Sequence, residues 1–266
     1  MKLEHNGLRY NLKVKGQGVP VVFLHGFSEN METFDEIDTS GYKAIYIDLL
    51  GHGNTDSPKS MKYYNVLRMV IDLHFIINKI VRDRYILYGY SMGGRIALFY
   101  SSYYKDEIDK LIIESASYGE YGDIERKNRR RSDYLLAKRI NKNGIEWFED
   151  YWSNVSIFNS QKMMDGEKQI KVSKMRLKNN VDGLTKALMG FGQGRNPCVK
   201  DEIINFNMSI LYLCGEKDEK YASIGKEIEM LNSRVIRMVI AGAGHNVHIE
   251  RPKEVSNIIN NFIRKD

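Results

Sequence analysis

The chain has 266 residues, of which 42% are hydrophobic and 28% charged, with a formal net charge of +6 and a sequence pI near 9.0. This is the composition of a folded domain rather than a disordered one, and the length suits one large α/β domain or two small ones. Its two cysteines, Cys198 and Cys214, form no C-x-x-C or Cys/His cluster, so neither a disulfide framework nor a zinc site is suggested.

No stretch approaches the roughly 18 to 20 apolar residues that a membrane span needs. The opening "MKLEHNGLRY" has no apolar signal core. The expectation is a soluble, reduced, cytoplasmic protein without membrane association. The basic balance favours an anionic partner, either nucleic acid or a small acid.

In chain order, residues 8–16, "LRYNLKVKG", alternate as an antiparallel edge strand of a hairpin. Residues 19–27, "VPVVFLHGF", form an apolar run ended by glycine and read as a buried strand. Residues 42–56 give a second strand and a glycine-rich loop, and residues 66–80 a helix. A strand at 84–89 is followed by a helix at 95–104 and a strand at 108–116. After a long interval come strands within 208–218 and 234–245, then a helix at 254–263. Apolar strands alternating with helices predict an α/β fold whose mostly parallel sheet is covered on both faces. Residues 117–207 break this rhythm. They hold no buried strand and are rich in Arg, Lys, Asn, Met and aromatics. The expected organisation is a core of residues 1–116 and 208–266, with 117–207 as a helical cap inserted between core strands.

The sequence "YGYSMGGR" contains G-x-S-x-G at residues 89–93, between a predicted strand and a predicted helix. That is the setting of a nucleophile elbow, in which glycines permit a sharp turn and the serine hydroxyl is lifted above the sheet. Ser91 is therefore the candidate nucleophile or base. In the order Ser…Asp…His, "LCGEKDEKY" places Asp218 after one strand and "AGAGHNVHIE" places His245 after the next. Both lie at the carboxyl edge of the sheet, where open α/β folds build sites. Glu216 and His248 are the rivals for those two positions. Backbone N–H groups of Phe27 and Met92 are the candidate oxyanion donors. His25 and His52 read as structural.

The whole chain, from "HGF" to the final helix, resembles the α/β-hydrolase superfamily. More specifically, "GYSMGGR", "ERKNRRRSD", "DYWSNVSIFNSQK", "MRLKNNVDGL", "LCGEKDEKY" and "AGHNVHIE" resemble the 2-succinyl-6-hydroxy-2,4-cyclohexadiene-1-carboxylate synthases of menaquinone biosynthesis. The resemblance implies a lyase that removes pyruvate from 2-succinyl-5-enolpyruvyl-6-hydroxy-3-cyclohexene-1-carboxylate, with no metal and no organic cofactor. It implies Ser91, Asp218 and His245 as the catalytic set. It also implies Arg95, Arg129 and Arg176 as carboxylate ligands, with Tyr90 and Trp152 lining the pocket. Arg126 and Arg130 are rivals to Arg129. One departure is visible: Ser156 stands where the family commonly has a proline before the aromatic.

The implied partner is a small polyanionic substrate rather than nucleic acid, because acidic residues interrupt the basic run at 124–140 and no recognition fold accompanies it. Guanidinium suits such a substrate, since its planar fork matches carboxylate geometry. An esterase or C–C bond hydrolase acting on a small acid is the alternative on the same scaffold. Oligomeric state is not readable from the sequence.

Overall fold

The computed structural model of the protein describes residues 1–264. It opens with a hairpin of β1 (Lys2–His5) and β2 (Leu8–Lys15), joined through Asn6 and Gly7, whose φ values are 50° and 73°. Two successive positive φ values mark the turn whose twist matches a hairpin. Leu8, Tyr10 and Leu12 face the core from β2 while Arg9 faces outward. The expectation of β2 as an edge strand is corrected, because β1 covers one side of it and β4 (Lys43–Ile47) the other. Only four residues long, with Leu3 its one apolar residue, β1 leaves little periodic signal.

The remaining elements follow in chain order. After β3 (Pro20–Leu24) and β4 come α1 (Val66–Ile80), β5 (Tyr85–Tyr90), α2 (Met92–Tyr104) and β6 (Ile108–Glu114). Helices α3 (Asp123–Ser153), α4 (Gly166–Leu177), α5 (Val181–Phe191) and α6 (Lys200–Ile203) precede β7 (Ser209–Gly215). The chain ends through α7 (Glu219–Leu231), β8 (Val235–Ile240), α8 (Val247–Glu250) and α9 (Pro252–Arg264). The eight strands form one sheet in the order β1-β2-β4-β3-β5-β6-β7-β8, parallel from β4 onward.

The central strands carry apolar side chains on both faces, which is why they read as continuous hydrophobic runs. In β5, Leu87 joins a core with Leu73, Ile96 and Leu111, while Ile86 and Tyr88 join Phe23, Ile112 and Leu213 on the opposite face. Strand order reverses around β3, which pairs with β4 on one side and β5 on the other. Open sheets bind ligands at such a switch point.

Between β6 and β7 the described residues contain helices and no strand. Helix α3 bends at Gly144, whose φ of 85° and ψ of −176° interrupt it. A 3-10 segment, Ser156–Met163, follows it. Ala137, Ile140 and Phe148 of α3 pack on Leu184 and Leu188 of α5, and Phe27 reaches this cluster from below. The helical layer thus rests directly on the loop after β3. Among the described residues, no helix is long and apolar enough to cross a membrane, and no metal-binding cluster occurs.

The loops after β3 and β4 are clamped by buried His25. Its Nδ1–H donates to the Gly26 carbonyl at 2.8 Å and its Nε2 accepts the Leu49 N–H at 2.9 Å. A ring that must accept at Nε2 is neutral, and burial pushes its pKa from 6.5 down to about 4. Burial, with His25 nearby, lowers His52 to about 3. Below pH 6.5 the unfolded histidines bind protons before the folded ones do, so folding weakens as pH falls. His25 alone accounts for roughly 3 kcal/mol across that interval. Urea unfolding at about pH 7.5 and about pH 5 should show the weaker fold at the lower pH. His25→Asn should shrink the difference; an unchanged pH slope would contradict the assignment.

Candidate active site

At the end of β5, Ser91 has φ 49° and ψ −105°, a conformation that L side chains rarely adopt. Two hydrogen bonds over-determine it. The Ser91 N–H donates to the Glu114 carbonyl at 2.9 Å, and the Gly93 N–H donates to the His25 carbonyl at 3.1 Å. A Cβ on Gly93 would overlap the Leu24 carbonyl oxygen, and one on Gly89 would overlap the Gly93 carbonyl. Glycine is required because α2 begins against the ends of β3 and β5 with no room for a methyl group.

Asp218 starts α7 after β7, and His245 lies in the loop after β8. His245 Nε2 is 3.0 Å from Ser91 Oγ, and Nδ1 is 2.6 Å from Asp218 Oδ2. With Nδ1–H donating to the carboxylate, Nε2 is left to accept the serine proton. Asp218 and His245 are both buried. Their sequence rivals lie elsewhere. Glu216 accepts the Gly242 N–H at 2.9 Å in an exposed turn, and His248 is buried against Glu114 at 2.9 Å.

Ser91 and His245 open onto a cavity of about 280 Å³ whose walls include Phe27, Tyr90, Met92, Arg95, Arg129 and Trp152. The backbone N–H groups of Phe27 and Met92 donate to no acceptor among the described residues. Met92 opens the 13-residue α2, so its N–H also sits at the positive end of a helix dipole.

Arg95 is the unusual member. Only 7% exposed, it makes no side-chain hydrogen bond or ion pair among the described residues, and its Nε is buried without a partner. Burial pulls its pKa below the usual guanidinium value, although Arg is not neutralised in proteins. Arg129 reaches in from α3. Its Nε donates to Asp133 at 2.8 Å and its Nη1 to Gln193 at 2.6 Å. Of its rivals, Arg126 pairs with exposed Asp123 and Arg130 donates to the Gly194 carbonyl, and neither lines the cavity.

Arg176, the third arginine expected as a carboxylate ligand, does not line this cavity. Fully buried in α4, it donates to Ser153 Oγ at 2.7 Å and Gln161 Oε1 at 3.2 Å. Its guanidinium stacks 4.7 Å from the Phe158 ring centroid. It lines an adjoining cleft of about 490 Å³, and Phe158 is a wall of both spaces. Two cap side chains thus take its terminal nitrogens, while its Nε is buried without a partner.

Trp152 packs edge-on against Phe27 at 5.4 Å between ring centroids, with its Nε1 buried and unpartnered. Tyr90 packs on His245 and His248 at 5.4 and 4.7 Å. Sequence reasoning missed Tyr221, Gln193 and Phe158 as cavity walls. Tyr221 lies three positions after Asp218, one helical turn along α7, and its ring sits 4.7 Å from that of His245. Gln193 follows α5 in "FGQGRNP", a loop signal that carries no direction.

Gly93→Ala should cost stability through overlap with the Leu24 carbonyl and should displace Ser91. Thermal unfolding and serine labelling by a fluorophosphonate measure the two effects. A stable, fully labelled variant would show that the elbow tolerates a side chain.

A profile of the alpha/beta hydrolase fold family matches residues 19–252. A Bacillus subtilis (strain 168) protein, provisionally named 2-succinyl-6-hydroxy-2,4-cyclohexadiene-1-carboxylate synthase, is 35% identical over 263 residues, covering 97% of this chain and 96% of its own. The Citrobacter koseri protein of that name is 28% identical over 246 residues, covering 92% and 93%. MenH from S. aureus superposes with a TM-score of 0.89 at 31% identity, covering 95% of this chain and 97% of its own. A Thermogutta terrifontis esterase, 22% identical with a TM-score of 0.83 and covering 99% and 96%, shares the fold alone. The chain belongs to the α/β-hydrolase fold family and, within it, to the 2-succinyl-6-hydroxy-2,4-cyclohexadiene-1-carboxylate synthases.

Proposed function

We propose that this chain eliminates pyruvate from 2-succinyl-5-enolpyruvyl-6-hydroxy-3-cyclohexene-1-carboxylate to give 2-succinyl-6-hydroxy-2,4-cyclohexadiene-1-carboxylate, as a carbon–oxygen lyase of menaquinone biosynthesis. The names of its B. subtilis and C. koseri relatives support the product. The observation that carries the reading is the buried, unpartnered guanidinium of Arg95 in the wall of the cavity that Ser91 and His245 open onto. A buried charge is costly unless paired. A carboxylate of the substrate would supply the missing partner.

Ser91, His245 and Asp218 act as the catalytic set. Ser91 Oγ takes a ring proton as its own proton passes to His245 Nε2, and the imidazolium is stabilised by Asp218. The electron pair left on the ring forms the conjugated double bond, and the ring carbon–oxygen bond breaks to release enolpyruvate. The leaving enolate of pyruvate takes the proton held on His245 at its carbon, which gives pyruvate and returns Ser91 and His245 to their starting state. Charge that builds on the succinyl carbonyl is met by the N–H groups of Phe27 and Met92; one such preorganised donor is worth about 3 kcal/mol.

Arg95 and Arg129 hold carboxylates and fix the C–H bond toward Ser91. Arg176 adds positive charge from the adjoining cleft. Tyr90 and Trp152 shape the walls. The +6 net charge aids capture of a polyanion.

Purified protein should release pyruvate from the enolpyruvyl substrate in a lactate-dehydrogenase-coupled assay, and Ser91→Ala should lose most of the rate. Full activity in Ser91→Ala would sink the mechanism, and hydrolysis of an aryl ester without pyruvate release would point to a hydrolase. Arg95→Ala and Arg129→Ala should each lower kcat/KM by about 10- to 150-fold, the worth of one charge-assisted bond. Unchanged kcat/KM in both would remove the carboxylate clamp.

A further inference from the structure

The segment that carries His245 has little regular structure of its own, and Asp218 fixes only its ring. Three buried carboxylates fix the rest. Glu250 Oε2 accepts the Gly244 N–H at 2.8 Å, and Glu29 Oε1 accepts Asn246 Nδ2 at 2.7 Å. Glu114 Oε1 accepts both the backbone N–H of His248 at 3.1 Å and its ring Nδ1–H at 2.9 Å. The last connection differs from the others, because Glu114 is also the residue whose carbonyl holds the Ser91 N–H. One residue at the end of β6 therefore grips the serine turn with its backbone and the histidine segment with its side chain.

Glu114 and His248 are both fully buried, and neither lines the cavity. Around them stand the Tyr88 hydroxyl, which donates to Glu114, and Thr33 Oγ1, 2.7 Å from His248 Nε2. The rings of Phe34 and Tyr90 pack on His248 at 4.8 and 4.7 Å. Nδ1–H donates to Glu114, and the Thr33 hydroxyl, which can donate or accept, meets Nε2, so the surroundings accommodate a doubly protonated ring. Burial opposes that cation, but Glu114, with Glu29 and Glu250 nearby, outweighs burial and raises its pKa above the ordinary value.

We propose that Glu114 and His248 form a buried ion pair that positions His245 against Ser91. They are positioning residues that act through His245 and touch no substrate. The pair also ties two loops that arrive from distant parts of the chain to one point under the site. Removing one partner leaves the other buried and uncompensated, so the two should behave as a unit. The inference rests on His245 serving as the proton acceptor of Ser91, and not on which acid is the substrate.

The test therefore uses reaction of Ser91 with phenylmethanesulfonyl fluoride alongside turnover. Glu114→Gln and His248→Gln should each slow sulfonylation and kcat at least about tenfold, the double variant should be little slower than either, and KM should stay near wild type. In wild-type protein, nitrogen-15 NMR should find both ring nitrogens of His248 protonated at neutral pH, a measurement that needs no variant to fold. Wild-type sulfonylation rates in folded Glu114→Gln, or a neutral His248 in the wild type, would overturn the proposal. A wild-type enzyme inert to both the sulfonyl fluoride and the substrate would instead overturn the proposed function beneath it.

Discussion

The close approach of α2 to the ends of β3 and β5 is the constraint on which the site depends. It leaves no room for side chains at positions 89 and 93, forces Ser91 to a φ of 49°, and points the serine hydroxyl away from the sheet. The same approach puts the Met92 N–H at a helix start, beside the Phe27 N–H from the neighbouring strand end. Strain of this kind persists only where surrounding bonds over-determine it. Here the Glu114 carbonyl does so from the end of β6 and the His25 carbonyl from the loop after β3. The parallel sheet is thus a device for bringing four strand ends to one place: β3 supplies Phe27, β5 supplies Ser91, β7 supplies Asp218 and β8 supplies His245.

Placing cations where water is excluded gives this scaffold its chemical direction. Arg95 occupies the first turn of a wholly buried helix face and makes no direct ion pair among the described residues, though Asp133 and Glu120 lie near enough to favour its charge. Arg129, by contrast, is half committed to Asp133 and Gln193, which orient its guanidinium while leaving one terminal nitrogen without a partner. In low dielectric, the buried charge of Arg95 interacts with an anion far more strongly than it would at the surface, whereas Arg129, 34% exposed, is partly screened. In the proposed reaction, a polyanion oriented by them presents a C–H bond, rather than an ester carbonyl, to Ser91. That is how the machinery of a hydrolase can serve an elimination.

Much of this was legible in the sequence because it depends on local pattern. Strand runs such as "VVFL" and "YILYG" are apolar on both faces, and G-x-S-x-G lies at the join where sterics demand glycine. The edge strand β1 was not legible, being short and polar. Nor was the placement of Arg176 in a cleft beside the Ser91 cavity, with Phe158 of the Ser156–Met163 segment lining both, a tertiary fact with no periodic trace. The density of arginines at 126–131 hid which one faces inward; helix rotation over the site selects Arg129. His248 read as a rival base because its partner, Glu114, is 134 positions away.

The central claim is that Ser91 abstracts a proton rather than attacking a carbonyl. The most direct measurement is the deuterium isotope effect on kcat/KM with substrate labelled at the ring carbon that loses its proton, with intact-protein mass spectrometry during turnover. The account predicts a primary isotope effect and an unmodified chain mass throughout. An isotope effect of unity together with an acyl adduct on Ser91 would contradict it.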